Sequence, residues 1–213
     1  MLCSMRINII SHRGYWQDES EKNTFIAFER SFKHGFGVET DIRDYNSTLV
    51  ISHDIPNSGC LLFSDFLGIY KKYNSNSTLA LNIKSDGLVK EVQKELVKND
   101  ITNYFVFDMS IPDTVSYLRN GMVTYIRQSD IENNIHFANK VQGFWLDELE
   151  KEWINPQEIE KLQKFSLPIC IVSSELHKRD YLNQWRGIKN LVNYDNISLC
   201  TDFPKKAEDF FNI

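Results

Sequence analysis

Residues 7–14 read Ile-Asn-Ile-Ile-Ser-His-Arg-Gly, and residues 37–41 read Gly-Val-Glu-Thr-Asp. The first stretch is a short apolar run rich in isoleucine, the signature of a buried strand. The residues at its C-terminal end decide between two architectures. A strand opening an open, doubly wound sheet runs into a glycine-rich phosphate loop. Here it runs into His12-Arg13-Gly14, with neither G-x-G-x-x-G nor a P-loop. The second stretch is another short strand candidate, and it ends on two carboxylates.

Working outward, the same unit repeats. Strand candidates lie at 7–11, 37–41, 78–83, 104–107, 123–127, 143–146, 168–172 and 198–201, with a short extended piece at 49–52. Helix candidates lie at 24–34, 61–73, 88–98, 111–119, 155–165 and 203–211, with a short, weak one at 130–139. Asn155-Pro156 is an N-cap followed by proline at the first helical position, and Gly121 stops the helix at 111–119. Strand–helix alternation argues for a parallel sheet with helices outside. Eight such units predict an α/β fold, a closed (β/α)8 TIM barrel. No linker or low-complexity tract divides the chain, so residues 1–213 are expected to form a single compact domain. The length is below the roughly 250 residues typical of this barrel, which leaves no room for a large insertion.

Composition narrows the partners. Lys plus Arg is 24 and Asp plus Glu is 29, giving a net charge of −5. No basic stretch stands out, so no nucleic-acid partner is expected. No run of about 18 apolar residues occurs, so no membrane span is expected. Cys3, Cys60, Cys170 and Cys200 form no C-x-x-C pair and read as free thiols of a reducing compartment. The N-terminus is too short and polar for a signal peptide, and a cytoplasmic location is expected. Oligomeric state is left open.

In a (β/α)8 barrel the chemistry sits at the C-terminal ends of the strands. There the sequence places His12 and Arg13, then Glu39 and Asp41, then His53-Asp54, then Asn82 and Lys84. Residues two apart on a strand face one side, so Glu39 and Asp41 point together. Two adjacent carboxylates repel unless a cation lies between them. Oxygen ligands favour Mg²⁺ or Ca²⁺. Arg13 and Lys84 suit a phosphate, and His12 and His53 suit a general acid and base. The combination reads as metal-assisted attack on a phosphodiester.

These residues resemble the glycerophosphodiester phosphodiesterases. The pattern HRG, ENT-x-x-AF, E-x-D, HD and E-x-K appears in order. It corresponds to His12-Arg13-Gly14, Asn23-Thr24-Phe25-Ile26-Ala27-Phe28, Glu39-Thr40-Asp41, His53-Asp54 and Asn82-Ile83-Lys84. A terminal T-D-x-P appears as Thr201-Asp202-Phe203-Pro204. The specific motifs cover about the first 85 residues and the C-terminus. The resemblance implies a barrel that hydrolyses a small phosphodiester with a divalent metal, within lipid metabolism. His12 and His53 would be its acid and base, Arg13 and Lys84 its phosphate cations, and Glu39, Asp41 and Asn82 its metal ligands.

The sequence also departs from that pattern. Lys22 stands where the family has the glutamate before Asn-Thr, and Glu21 lies one place earlier. Asn82 replaces a glutamate and brings no charge, so Asp108 or Asp147 is a candidate to help. The segment after His53-Asp54 is short, which makes glycerol less secure as a product than the phosphodiester as a substrate. Arg127 and Trp145 are further substrate-binding candidates, with an internal salt bridge and a core position as their alternatives. Ser173 and Ser174 lie outside any G-x-S-x-G elbow, and His34, His136 and His177 read as surface residues. Two other functions fit the same residues: a lyase-type enzyme that forms a cyclic phosphate, and a degenerate barrel that binds a phosphorylated ligand without turnover.

Overall fold

The computed structural model describes residues 7–73, 76–190 and 196–211. Cys3 lies outside the described residues. The elements in chain order are β1 (Asn8–His12), α1 (Phe25–Lys33), β2 (Gly37–Tyr45), β3 (Thr48–Ile51), α2 (Phe63–Lys72), β4 (Leu79–Ile83), α3 (Val89–Lys98), β5 (Tyr104–Phe107), α4 (Ile111–Arg119), β6 (Tyr125–Gln128), β7 (Gly143–Leu146), α5 (Pro156–Gln163), β8 (Ile169–Val172), α6 (Leu182–Lys189), β9 (Ile197–Thr201) and α7 (Pro204–Phe211). Eight strands follow the order of the chain from neighbour to neighbour, and β3 pairs off the side of β2. With α-helical crossovers between parallel neighbours, and a 3-10 turn in that place between β6 and β7, this is the (β/α)8 barrel fold that the alternation predicts. No described helix is long and apolar enough to cross a membrane.

The chain forms two compact units. One comprises residues 11–124, the other residues 1–10 and 125–213. In the 11–124 unit, β2 pairs parallel with β4, and β4 with β5. Its core is aromatic: Phe28 meets Phe66 edge-on at 4.7 Å between ring centroids, and Phe32 meets Tyr70 at 5.3 Å. Phe28 and Phe66 are fully buried. β2 runs four residues beyond the predicted strand, because β3 folds back onto it as an antiparallel partner. Asn46 and Ser47 turn the hairpin at φ 48° and 63°, the left-handed pair that a two-residue hairpin loop needs.

In the other unit, β6, β7, β8 and β9 pair parallel in turn. Its helix α6 was not among the sequence expectations: Gly187 and Asn183 dilute its apolar pattern, yet it buries Trp185 and Ile188. The helix expected at 130–139 is reduced to a 3-10 turn at Ile135–Phe137. Polar side chains beside it take backbone donors that a helix would use: Ser129 Oγ accepts from the N–H groups of Ile131 and Glu132, and Gln128 Oε1 from that of Asn134. Asp130 turns to another segment and accepts from the N–H groups of Leu149, Glu150 and Lys151. Cys60, Cys170 and Cys200 are free thiols.

Gly14 shows why the loop after β1 carries a glycine. It sits at φ +88°, and a Cβ there would lie 2.8 Å from the Ala27 Cβ and 2.9 Å from the Ala27 carbonyl carbon. The loop thus presses directly on α1, and the Tyr15 N–H donates to the Ala27 carbonyl at 3.1 Å. Gly14→Ala is expected to destabilise the protein by about 2–4 kcal/mol, from overpacking and a strained φ, measured as a shift in urea midpoint at unchanged m-value.

Candidate active site

Seven of the residues singled out in the sequence lie in the 11–124 unit: His12, Arg13, Glu39, Asp41, His53, Asn82 and Lys84. Glu39 and Asp41 leave β2 on one side and are buried, at 2% and 0% exposure. Asn82 is the β4 partner of Asp41 in the parallel ladder. The cations gather on these carboxylates. Arg13 Nε lies 3.1 Å from Asp41 Oδ2, and Lys84 Nζ lies 3.7 Å from Asp41 Oδ1. His12 Nε2 is 3.9 Å from Glu39 Oε2. Lys84 also donates to Asp108 Oδ2 at 3.2 Å. Asp108 thus serves as a second anchor for the lysine.

The backbone that presents Arg13 is unusual. Arg13 and Asn23 are both left-handed, at φ 55° and 60°. They are clasped together: the Asn23 N–H donates to the Arg13 carbonyl, and the Arg13 N–H to the Glu39 carbonyl, each at 2.9 Å. Asn23 then uses both ends of its amide. Its Nδ2 donates to Asp41 Oδ2 at 2.9 Å, and its Oδ1 accepts from Thr40 Oγ1 at 2.8 Å. Asn23 belongs to the Asn-Thr motif, but the motif alone does not announce this double contact. Lys22 turns elsewhere, with Nζ 4.4 Å from the Trp16 ring centroid and 3.8 Å from Glu19. Glu21 pairs with Arg30 at 2.8 Å.

His53 lies just past β3. The Ser52 N–H donates to the Asp41 carbonyl at 3.0 Å, which brings the segment up to the end of β2. The imidazole is 44% exposed, with Nδ1 2.9 Å from Asp54 Oδ1. It is the most open member of the set, in keeping with the short segment beyond it.

The remaining candidates lie in the other unit and are engaged there. Arg127 pairs with Glu132 through Nε and, at 3.1 Å, through Nη2. Trp145 is buried within β7. Asp147 Oδ1 holds His177 Nε2 at 2.6 Å, and this hydrogen bond pushes the imidazole pKa up. His177 is therefore a half-buried partner of Asp147, not the plain surface residue that its loop position implied. Glu175 accepts from the Asp202 N–H at 3.0 Å and from the hydroxyls of Ser173 and Thr201.

Solved structures provide an independent comparison. A glycerophosphodiester phosphodiesterase from Parabacteroides distasonis superposes with a TM-score of 0.75 at 14% identity, covering 97% of each chain. The structure has the fold of these enzymes. A second, from Agrobacterium tumefaciens, gives 0.68 at 14% identity over 98% of this chain and 100% of that one. A phosphodiesterase from Oleispira antarctica, solved with the product sn-glycerol-3-phosphate, gives 0.69 at 14% identity over 99% and 98%. No family model matches the sequence, and no curated protein matches it.

The donor set bears on whether a divalent cation fits. Among the described residues, no group of three or more His, Cys, Asp or Glu side chains is arranged to hold a metal. What β2 and β4 offer is two carboxylates and one amide. Asp41 Oδ1 and Asn82 Oδ1 are buried acceptors without a hydrogen-bond donor. Burial, and then the neighbouring charge of Asp41, push the Glu39 carboxyl up to about 7, against the pull of His12, Arg13 and Lys84. Oxygens short of donors beside a carboxyl short of positive charge fit a hard cation of modest affinity.

This yields a pH prediction. The folded protein keeps the Glu39 proton up to about 7, whereas an unfolded chain loses it near the ordinary value of 4.5. Without a divalent cation, the Glu39 contribution to stability therefore falls as pH rises from about 4.5 to about 7 and is flat above that. Glu39→Gln is expected to remove this fall, so its Tm advantage over wild type grows with pH in chelator. Adding Mg²⁺ or Ca²⁺ is expected to narrow the gap by stabilising only the wild type. Thermal melts across that pH range check both statements.

Proposed function

We propose that the protein is a metal-dependent phosphodiesterase that hydrolyses a glycerophosphodiester, or a related small phosphodiester, to an alcohol and a phosphomonoester. The observation that carries this reading is the convergence of Arg13, Lys84 and His12 on the buried Glu39–Asp41 pair. The fold likeness to phosphodiesterases at TM-scores of 0.68–0.75 supports it. The reading extends to a single domain acting in the cytoplasm on a substrate from lipid metabolism, without a nucleic-acid partner.

In this mechanism Arg13 and Lys84 bind the phosphate oxygens. The guanidinium offers a planar fork and the ammonium a compact charge. Glu39, Asp41 and Asn82 would hold Mg²⁺ or Ca²⁺, which supplies charge stabilisation to the phosphoryl oxygens when bound. One of the two histidines, His12 or His53, takes the proton from the attacking water as its oxygen bonds to phosphorus. The other histidine gives a proton to the alkoxide as the bond from phosphorus to the leaving oxygen breaks. Asn23 and Asp108 hold Asp41 and Lys84 in place, which leaves the cationic groups preset for an incoming diester.

The test is a panel of glycerophosphodiesters assayed with chelator and with metal add-back, products identified by phosphorus NMR. A phosphomonoester as first product is expected. An accumulating cyclic phosphate favours the lyase reading, and binding without turnover under any metal favours the non-catalytic barrel. His12→Ala and His53→Ala are each expected to lower kcat by about 10²–10⁴-fold with circular dichroism unchanged. Asn82→Glu is expected to tighten Mg²⁺ or Ca²⁺ binding, since it adds a charge where an amide now stands. Isothermal titration with the metal alone reads this directly.

A further inference from the structure

Glu39, Asp41 and Arg43 occupy alternate positions of β2, so their side chains leave the strand on one side. The first two belong to the site already described. Arg43 reaches beyond them to two backbone oxygens. Its Nε and Nη2 donate to the His53 carbonyl at 3.2 and 3.1 Å, and its Nη1 donates to the Lys84 carbonyl at 3.0 Å.

These two carbonyls come from opposite edges of β2. The Asp41 carbonyl takes the Ser52 N–H at 3.0 Å on one edge, and the Ile42 carbonyl takes the Lys84 N–H at 2.9 Å on the other. Past these bonds the ladders stop: β3 ends at Ile51 and β4 at Ile83. His53 and Lys84 therefore stand where regular pairing gives out on each side. The guanidinium fork ties these two carbonyls to one side chain. Lysine would have to serve both carbonyls from a single nitrogen, whereas Arg43 uses three nitrogens spread across its fork.

We propose that Arg43 is a positioning residue, fixing the backbone of His53 and Lys84 together and so the spacing between an acid–base group and a phosphate cation. This rests on the phosphodiesterase reading above. It adds a residue that the resemblance does not supply, and one that touches no reacting atom. A misplacement of about 1 Å at such groups costs on the order of 10²-fold in rate.

The experiment is a double-mutant cycle of Arg43→Gln with His53→Ala, read as kcat on a diester that the wild type turns over. Amide hydrogen exchange of segments 50–56 and 83–87 accompanies it. Arg43→Gln is expected to speed exchange in both segments about tenfold with the rest of the chain unchanged. It is expected to lower kcat by about 10–100-fold while KM moves far less. In the double variant the losses should multiply only in part, because the share of the strap's effect that runs through the imidazole is already gone while its hold on Lys84 remains. Arg43→Lys should recover little, and it takes over the cycle if Arg43→Gln does not fold. Unchanged exchange, unchanged kcat, or fully multiplicative losses overturn the proposal. Wild-type protein that turns over no diester overturns the phosphodiesterase reading instead. The exchange data then judge the strap by themselves: faster exchange upholds it, and unchanged exchange ends it.

Discussion

Two carboxylates side by side in a dry interior are the constraint on which this structure turns. Glu39 and Asp41 lie on one face of β2 with almost no access to water. Left bare, they would force one another to protonate or push the strand apart. Several unusual features of the 11–124 unit answer that problem. Arg13 bends into left-handed backbone to bring its guanidinium to Asp41, Asn23 adopts the same conformation to add an amide donor, and Lys84 divides its charge between Asp41 and Asp108. Gly14 permits the bend because α1 leaves no space for a side chain beside it. The compensation is incomplete: Asp41 Oδ1 and Asn82 Oδ1 are left without hydrogen-bond donors.

The contrast with the other unit sharpens this point. Glu148 is as deeply buried as Glu39. Its Oε1 accepts the N–H groups of Trp153 and Ile154, and its Oε2 accepts the Ser174 hydroxyl. Glu175 is filled in the same manner by hydroxyls and a backbone N–H. These carboxylates hold loops together with neutral donors and leave no oxygen open. Buried acid by itself therefore does not distinguish the candidate site in this protein. What sets Glu39 and Asp41 apart is that cations attend them and that an oxygen of Asp41 is still short of donors.

Much of the fold, and the grouping of the candidate site residues, was legible in the chain for identifiable reasons. Strand–helix alternation is a long-period pattern that survives local noise, and it located β1, β2, β4, β5, β6, β7, β8 and β9 within a residue or two at their starts. The E-x-D spacing identified a shared face because a strand has a strict period of two. The illegible parts arose where side chains compete with the backbone or where contacts are remote in sequence. The 130–139 segment has helical composition, but Ser129 and Asp130 claim its and its neighbour's donors. The pairing of His177 with Asp147 spans two strands and carries no local signature. Arg43 extends the Glu39–Asp41 row by one more step of two, but its partners are backbone carbonyls, which no residue type announces.

The hairpin between β2 and β3 has a consequence for how this site tolerates change in length. Its loop is two residues, Asn46 and Ser47, and His53 stands only a few residues beyond it. Because β3 is antiparallel to β2, the number of residues in that loop sets which residue lies opposite Asp41. One inserted or deleted residue would shift the pairing by a step and turn the imidazole toward the opposite face. The histidine is thus addressed by counting along the chain, whereas Arg13 and Lys84 are addressed by parallel strands anchored through whole helices. Among natural variants of this protein, indels should be rarer in this short connection than in any exposed loop of similar composition.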